Sequence, residues 1–176
     1  PYFYDNRFET YDLNKSVTPE LSDSDTTLLH LWAHSDKYRL GGSALYQSFK
    51  LYGGATPDID DANQFKVLFE ATQELLDKDF IEALHDISDG GLITSLIEMA
   101  LCSNQGLDIN LDYSDKEQLV PKLFSEEIGL VIEVKNEKLE SVRNYLNEKE
   151  LFFENIAKKN DKKKININSV SYTHLR

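Results

Sequence analysis

Two aspartates, a serine and two glycines fall within six residues, Asp86-Ile87-Ser88-Asp89-Gly90-Gly91, between His85 and Leu92. The apolar run Ile81 to His85 leads in and a helical apolar pattern leads out, so the segment reads as a strand–loop–helix corner. Free backbone amides and the dipole at a helix N-terminus attract anions. Gly90 and Gly91 allow unusual dihedrals and close approach to a ligand, and Ser88 offers a hydroxyl donor. Asp86 and Asp89 repel a bare phosphate, a conflict that a bridging Mg2+ removes by binding both carboxylate and phosphate. A Mg–nucleotide site is one reading. The other is a structural corner in which Ser88 or Asp89 caps the helix and the glycines make the turn.

Three further groups could carry chemistry. His85 ends a strand, where a histidine acts as a catalyst or is held by hydrogen bonds. Glu126-Glu127 precedes the strand at Ile128, and such a pair binds metal, acts as a base, or forms a solvated corner. Leu40-Gly41-Gly42-Ser43 leads into a second helix start and is a weaker anion signal. The four histidines and the single cysteine, Cys102, support no Ser/His/Asp set, Cys/His pair, disulfide or metal cluster. No catalytic residue is assigned.

The elements that must position these groups follow from pattern. Thr26 to Ala33 reads as a buried strand, and Ser43 to Tyr52 as a short helix stopped by Gly53-Gly54. Asp61 opens a long helix with Gln64 placed for a reciprocal cap, and Phe65, Leu68, Phe69, Thr72, Leu75 and Leu76 form a stripe expected in the core. The helix after the loop runs from Leu92 to about Cys102, with Leu92, Leu96, Met99 and Ala100 on one face. A strand at Gly106 to Leu111 precedes a helix capped by Ser114 and Glu117 that runs to about Phe124, which Pro121 should end or bend. A strand at Ile128 to Val134 precedes a helix capped by Asn136 and carrying Leu139, Val142, Tyr145 and Leu146. Strands near 151–157 and 165–170 close the unit. The order from residue 81, β-α-β-α-β-α-β-β, predicts a layered α/β domain with a mixed sheet and packed helices.

We expect a linker or edge segment over 1–25, with Val17-Thr18-Pro19 extended, one domain over 26–170, and a non-native tail at Ser171–Arg176. The opening at Pro1, without an initiator methionine, is read as the start of a piece of a longer polypeptide. With 40% hydrophobic and 28% charged residues, the composition is that of an ordinary globular chain. Apolar runs are too short for a membrane span and no signal peptide opens the chain, so the expected location is cytoplasmic. Net charge is −12. From Lys158 onward there are six basic residues and one acid, leaving 13 basic and 30 acidic side chains in 1–157. A body this acidic repels nucleic-acid phosphates and argues against nucleic-acid binding. The lysine run reads as a solvated turn or as a polyanion patch.

Five segments in order, LGGSALYQ (40–47), PDIDD with FKVLFEATQELL (57–76), HDISDGGL (85–92), LIEMALCSNQGLDINL (96–111) and LFSEEIGLVIEV (123–134), resemble the C-terminal part of the synthetase region of phosphoribosylformylglycinamidine synthase. The resemblance runs from about Val17 to Val134. It implies the C-terminal domain fold shared by aminoimidazole ribonucleotide synthetase and its relatives. It also implies a reaction in which formylglycinamide ribonucleotide, ATP and glutamine give formylglycinamidine ribonucleotide, ADP, phosphate and glutamate. In that family the amide oxygen is phosphorylated and ammonia from a glutaminase site displaces phosphate. The resemblance makes Asp86 a Mg2+ ligand and Ser88 a nucleotide contact, beside Gly90 and Gly91, in an auxiliary site for ATP or ADP. The implied partners are the preceding synthetase domains and the glutaminase domain of the same enzyme. Ile87 stands where the family often has arginine, so any contact of that arginine is absent. The remaining Mg2+ ligands, the catalytic nucleotide loop and the glutaminase cysteine lie outside this chain, and the fragment is expected to be inactive alone. Relatives such as selenophosphate synthetase or thiamine-monophosphate kinase typically spell this loop with Thr-Gly-Gly, against Ser88-Asp89-Gly90-Gly91 here. A non-catalytic scaffold module is the alternative from a different class.

Overall fold

The computed structural model describes residues 16–33, 37–112 and 116–170. Six strands, β1 (Thr26–Trp32), β2 (Ala83–Asp86), β3 (Gly106–Asp112), β4 (Gly129–Lys135), β5 (Phe152–Asn160) and β6 (Ile165–Val170), form one sheet in the order β2-β4-β1-β5-β3-β6. All neighbours are antiparallel except β3 and β6, which are parallel. The helices are α1 (Ala44–Ser48), α2 (Ala62–Asp77), α3 (Gly91–Ser103), α4 (Leu119–Phe124) and α5 (Leu139–Glu148). The predicted layered α/β fold with a mixed sheet is present.

β1 is central and buried on both faces, which is why it reads as a nearly continuous apolar run. Its Leu29 and Leu31 pack with Leu68 and Leu75 of α2 and Val142 and Leu146 of α5. On the opposite face Leu28 packs with Leu92, Leu96 and Met99 of α3 and Leu123 of α4. The sheet is thus a slab between two helical layers, each sealing one apolar face. β6 lies beyond β3 rather than beside β5. Asp108 ties the three strands together by accepting from Asn160 Nδ2 at 3.1 Å and Asn166 Nδ2 at 2.6 Å.

Several local expectations are corrected. α1 ends at Ser48 rather than Tyr52, because Lys50 adopts φ +55° and the Leu51 and Lys50 amides bond back to Tyr46 O and Gln47 O. That pairing is a Schellman cap, which closes the helix before the glycines are reached. Asp61 caps α2 as expected, accepting from Asn63 N at 2.8 Å and Gln64 N at 3.2 Å. The Gln64 side chain does not reciprocate but donates to Glu150 O at 2.9 Å. The buried stripe of α2 is Leu68, Ala71, Thr72 and Leu75. Phe65 and Phe69 lie off its axis, the latter 60% exposed. Pro121 does not end a helix. The turn at Lys116–Gln118 is 3₁₀, so α4 starts late and Pro121 falls in its first turn, where an amide has no intrahelical acceptor. The proposed cap at Ser114 lies outside the described residues. Asn136 does not cap α5. Its Oδ1 accepts from Thr27 Oγ1 at 2.7 Å, and Lys138 occupies the cap position.

The edge segment at 16–25 is packed against the domain. Thr18 O accepts from Leu84 N at 3.1 Å, Leu21 is buried, and Ser22 meets Glu133 of β4. Glu133 is fully buried. Its carboxylate accepts from Thr26 Oγ1 at 2.6 Å, Lys159 Nζ at 2.7 Å and Ser22 N at 2.9 Å. Lys159 also donates to Ser22 O. One lysine of the run expected to be a solvated turn is therefore an internal counterion. The tail 171–176 lies outside the described residues.

Candidate functional site

β2 ends at Asp86, and the loop 87–90 follows at the same end of the sheet as the start of β4 and the end of β1. Ile87 N donates to Gly129 O at 2.9 Å, which extends the β2–β4 pairing one residue into the loop. Ile87 turns inward and packs against the α3 core. Asp86, Ser88 and Asp89 are exposed. The loop therefore presents two carboxylates and a hydroxyl outward on a backbone anchored from within.

The anchoring comes largely from α3. The Asp86 carbonyl accepts from Ser95 Oγ at 2.8 Å and lies 2.7 Å from His85 Nδ1. His85 Nε2 is 2.9 Å from Glu98 Oε2. His85 is thus held by hydrogen bonds between Glu98 and Asp86 and braces the Asp86 backbone.

Neither Ser88 nor Asp89 caps α3. The cap residue is Gly90, in the left-handed region at φ +90°, with no side-chain cap bond. Its N–H donates to Glu126 Oε1 at 2.8 Å, and the Gly91 N–H donates to Ser88 O at 2.9 Å. Both glycine amides that sequence patterning offered to an anion have internal acceptors. The amide of Ala44, at the start of α1 in the second glycine segment, donates to the same Glu126 Oε1 at 2.8 Å.

Glu127 is 4% exposed rather than a solvated corner, and among the described residues it joins no group of three or more metal-binding side chains. Arg39 grips it through Nε to Oε1 at 2.6 Å and Nη2 to Oε2 at 2.7 Å, and the Arg39 amide adds 3.0 Å to Oε1. This two-pronged, charge-assisted pairing raises the Arg39 pKa further above its usual range, with Asp60 at 2.9 Å adding to the effect. The sequence reading missed Arg39. Its signal would have been an arginine directly before the Leu40-Gly41-Gly42-Ser43 segment.

Nearby, His30 of β1 is buried and lies 3.3 Å from Glu154 Oε1, whose other oxygen is 2.6 Å from Lys122 Nζ. Burial lowers the His30 pKa, opposed by Glu154. Cys102 is exposed and takes no part.

The chain is matched over residues 32–169 by the family described as AIR synthase related protein, C-terminal domain. A curated plant protein, "Probable phosphoribosylformylglycinamidine synthase, chloroplastic/mitochondrial" of Arabidopsis thaliana, is 39% identical over 166 residues, 93% of this chain and 12% of its own length. The chain thus spans about an eighth of that relative. Among solved structures, PurLQS from Thermotoga maritima matches with a TM-score of 0.68 at 15% identity, over 89% of this chain and 26% of that one. T. maritima PurL complexed with ATP matches at 0.66 and 16%, over 93% and 26%. Thiamine-monophosphate kinase from Stenotrophomonas maltophilia K279a matches at 0.56 and 15%, over 88% and 53%. These structural likenesses establish a shared fold. The chain belongs to the AIR synthase related protein, C-terminal domain family, and within it resembles the synthetase-type domain of phosphoribosylformylglycinamidine synthase.

Proposed function

We propose that this domain contributes an auxiliary Mg–nucleotide site to a phosphoribosylformylglycinamidine synthase, the ligase that uses ATP and glutamine to convert formylglycinamide ribonucleotide to its amidine. The observation that carries the reading is the Asp86–Gly91 loop, which turns Asp86, Ser88 and Asp89 outward while its backbone is locked from within. Solved structures of this fold include T. maritima PurL complexed with ATP, ADP and AMPPCP, which supports nucleotide as the ligand class.

The donor set fits Mg2+ as a partial shell. Asp86 offers a carboxylate that is 69% exposed, and Asp89 a second on the same loop. Among the described residues no group of three or more metal-binding side chains converges. Mg2+ is commonly held by one or two carboxylates together with phosphate oxygens and water, so two donors suffice as this domain's share. Asp86 would hold the ion, which would neutralise phosphate charge, and the Ser88 hydroxyl would donate to the nucleotide. Gly90 and Gly91 act by shaping the loop, since their amides are already engaged. Preceding synthetase domains and a glutaminase domain would complete the enzyme. Among the described residues no helix is long and apolar enough to cross a membrane, and cytoplasmic placement remains part of this proposal.

In the complete synthetase region, Asp86→Asn should weaken Mg–nucleotide binding by roughly tenfold or more while leaving the melting temperature nearly unchanged. Isothermal titration with Mg-ADP measures this, and equal affinity in mutant and wild type would refute the assignment. The 176-residue chain alone should show no amidation of formylglycinamide ribonucleotide with ATP and either glutamine or ammonium. Measurable turnover by the purified fragment would overturn that expectation.

A further inference from the structure

We propose that Glu126 is a positioning residue that joins the Arg39–Ala44 segment to the Asp86–Gly91 loop, so that the two glycine-containing segments order as one unit. The inference rests in part on the nucleotide reading of the second loop.

One carboxylate oxygen, Glu126 Oε1, accepts from Ala44 N and from Gly90 N, each at 2.8 Å. These donors are 46 residues apart in sequence and open two different helices. Glu126 is half-buried, so both bonds are partly shielded from water, where a charged acceptor is strongest. The adjacent Glu127 repeats the arrangement one residue later, taking the Arg39 amide and guanidinium. Arg39 in turn reaches the Asp58 carbonyl at 3.0 Å and Asp60 at 2.9 Å, carrying the link to the approach of α2. The acidic pair is therefore a double strap. Glu127 fixes the entry to the first glycine segment, and Glu126 fixes its exit together with the turn of the second.

The geometry also explains why both acids stand directly before β4. β4 pairs with β2 on one side and β1 on the other, and both strands present their C-terminal ends there. From the entry of β4 the Glu126 side chain reaches both loops. Removing the carboxylate leaves two amide donors without their acceptor at once, one in each loop. A ligand held by Asp86 and Ser88 would stiffen the Gly90 turn, and through Glu126 that stiffening reaches Gly41 and Gly42.

Hydrogen exchange read by mass spectrometry tests this in two arms. In the ligand-free 176-residue chain, Glu126→Ala should raise exchange about tenfold in peptides spanning both 41–48 and 88–95, with α5 unchanged. Glu126→Gln keeps a neutral oxygen acceptor and should give a smaller rise, again in both peptides together. It serves as the deciding variant if the alanine protein fails to fold. A rise confined to one peptide, or in neither, overturns the coupling. In the full-length synthase, Mg-ADP should protect both peptides in the wild type. In Glu126→Ala it should protect only the one at 88–95. Protection of 88–95 alone in the wild type overturns the coupling. Protection of neither overturns the nucleotide reading while the ligand-free arm still decides the role of Glu126.

Discussion

Gly91→Ala should destabilise the domain by about 3 kcal/mol or more, which lowers the melting temperature of a chain this size by roughly 10 °C. Two effects add. Gly91 has φ +73°, a conformation that costs an L-residue about 1 kcal/mol or more. A Cβ at that position would also lie 2.6 Å from Ser125 O, 2.7 Å from the Phe124 carbonyl carbon and 2.8 Å from Leu123 O. All three are main-chain atoms at the end of α4 and cannot rotate away, so α3 must move off α4 or the loop must unfold. Gly90→Ala is the informative comparison. It has φ +90°, and its Cβ would lie 2.2 Å from Thr94 Oγ1 and 3.0 Å from Thr94 Cβ; a rotamer change carries the hydroxyl away and leaves one tight side-chain contact. Its cost should be the backbone strain plus that contact, about 1–2 kcal/mol and below that of Gly91→Ala. Thermal denaturation of the two proteins separates the cases. Equal losses would show that the close packing of Gly91 on the Leu123–Ser125 backbone contributes nothing.

Glu133→Ala should cost about 3–5 kcal/mol, the typical penalty for leaving one partner of a buried ion pair alone. Glu133 is fully buried, and the side chain of Lys159 is only 13% exposed. Without the carboxylate, Lys159 Nζ keeps only the Ser22 carbonyl, while Thr26 Oγ1 and Ser22 N lose their acceptor. The same change releases Ser22 from β4, so the edge segment ahead of β1 should become more protease-sensitive as stability falls. Combining Glu133→Leu with Lys159→Met should recover much of the loss, because apolar side chains of similar volume fill the site without an uncompensated charge. Urea denaturation of the single and double variants measures both effects. A single variant within about 0.5 kcal/mol of wild type would show that the cluster is not a structural clamp.

The two sites lie at opposite ends of the sheet. Glu133 secures the end where β1 begins, and the candidate nucleotide loop occupies the end where β1 and β2 finish. Damage to one should leave local geometry at the other largely intact, provided the domain still folds.

Periodicity and punctuation alone determined the order of strands and helices in this chain. Thr26 to Trp32 reads as a strand because both of its faces are buried, and Leu92, Leu96, Met99 and Ala100 read as a helix face because that face meets the sheet. The Asp86–Gly91 corner was legible for the same reason, since its residue types suit the turn that joins them. Capping was less legible. Asn136 and Gln64 carry side chains suited to helix starts, yet each found a partner distant in sequence, Thr27 and Glu150. Phe65 and Phe69 were misplaced because a helical stripe does not reveal which arc of it meets the sheet. The functions of Glu126 and Glu127 could not be read at all. A carboxylate before a strand is ambiguous until the strand order places Ala44, Gly90 and Arg39 around it. Only the tertiary structure decided that one amide at each glycine segment, Ala44 N and Gly90 N, is held by the same acid, Glu126. Sequence spacing specifies which donors a chain possesses, whereas the folded sheet specifies which acceptor reaches them first.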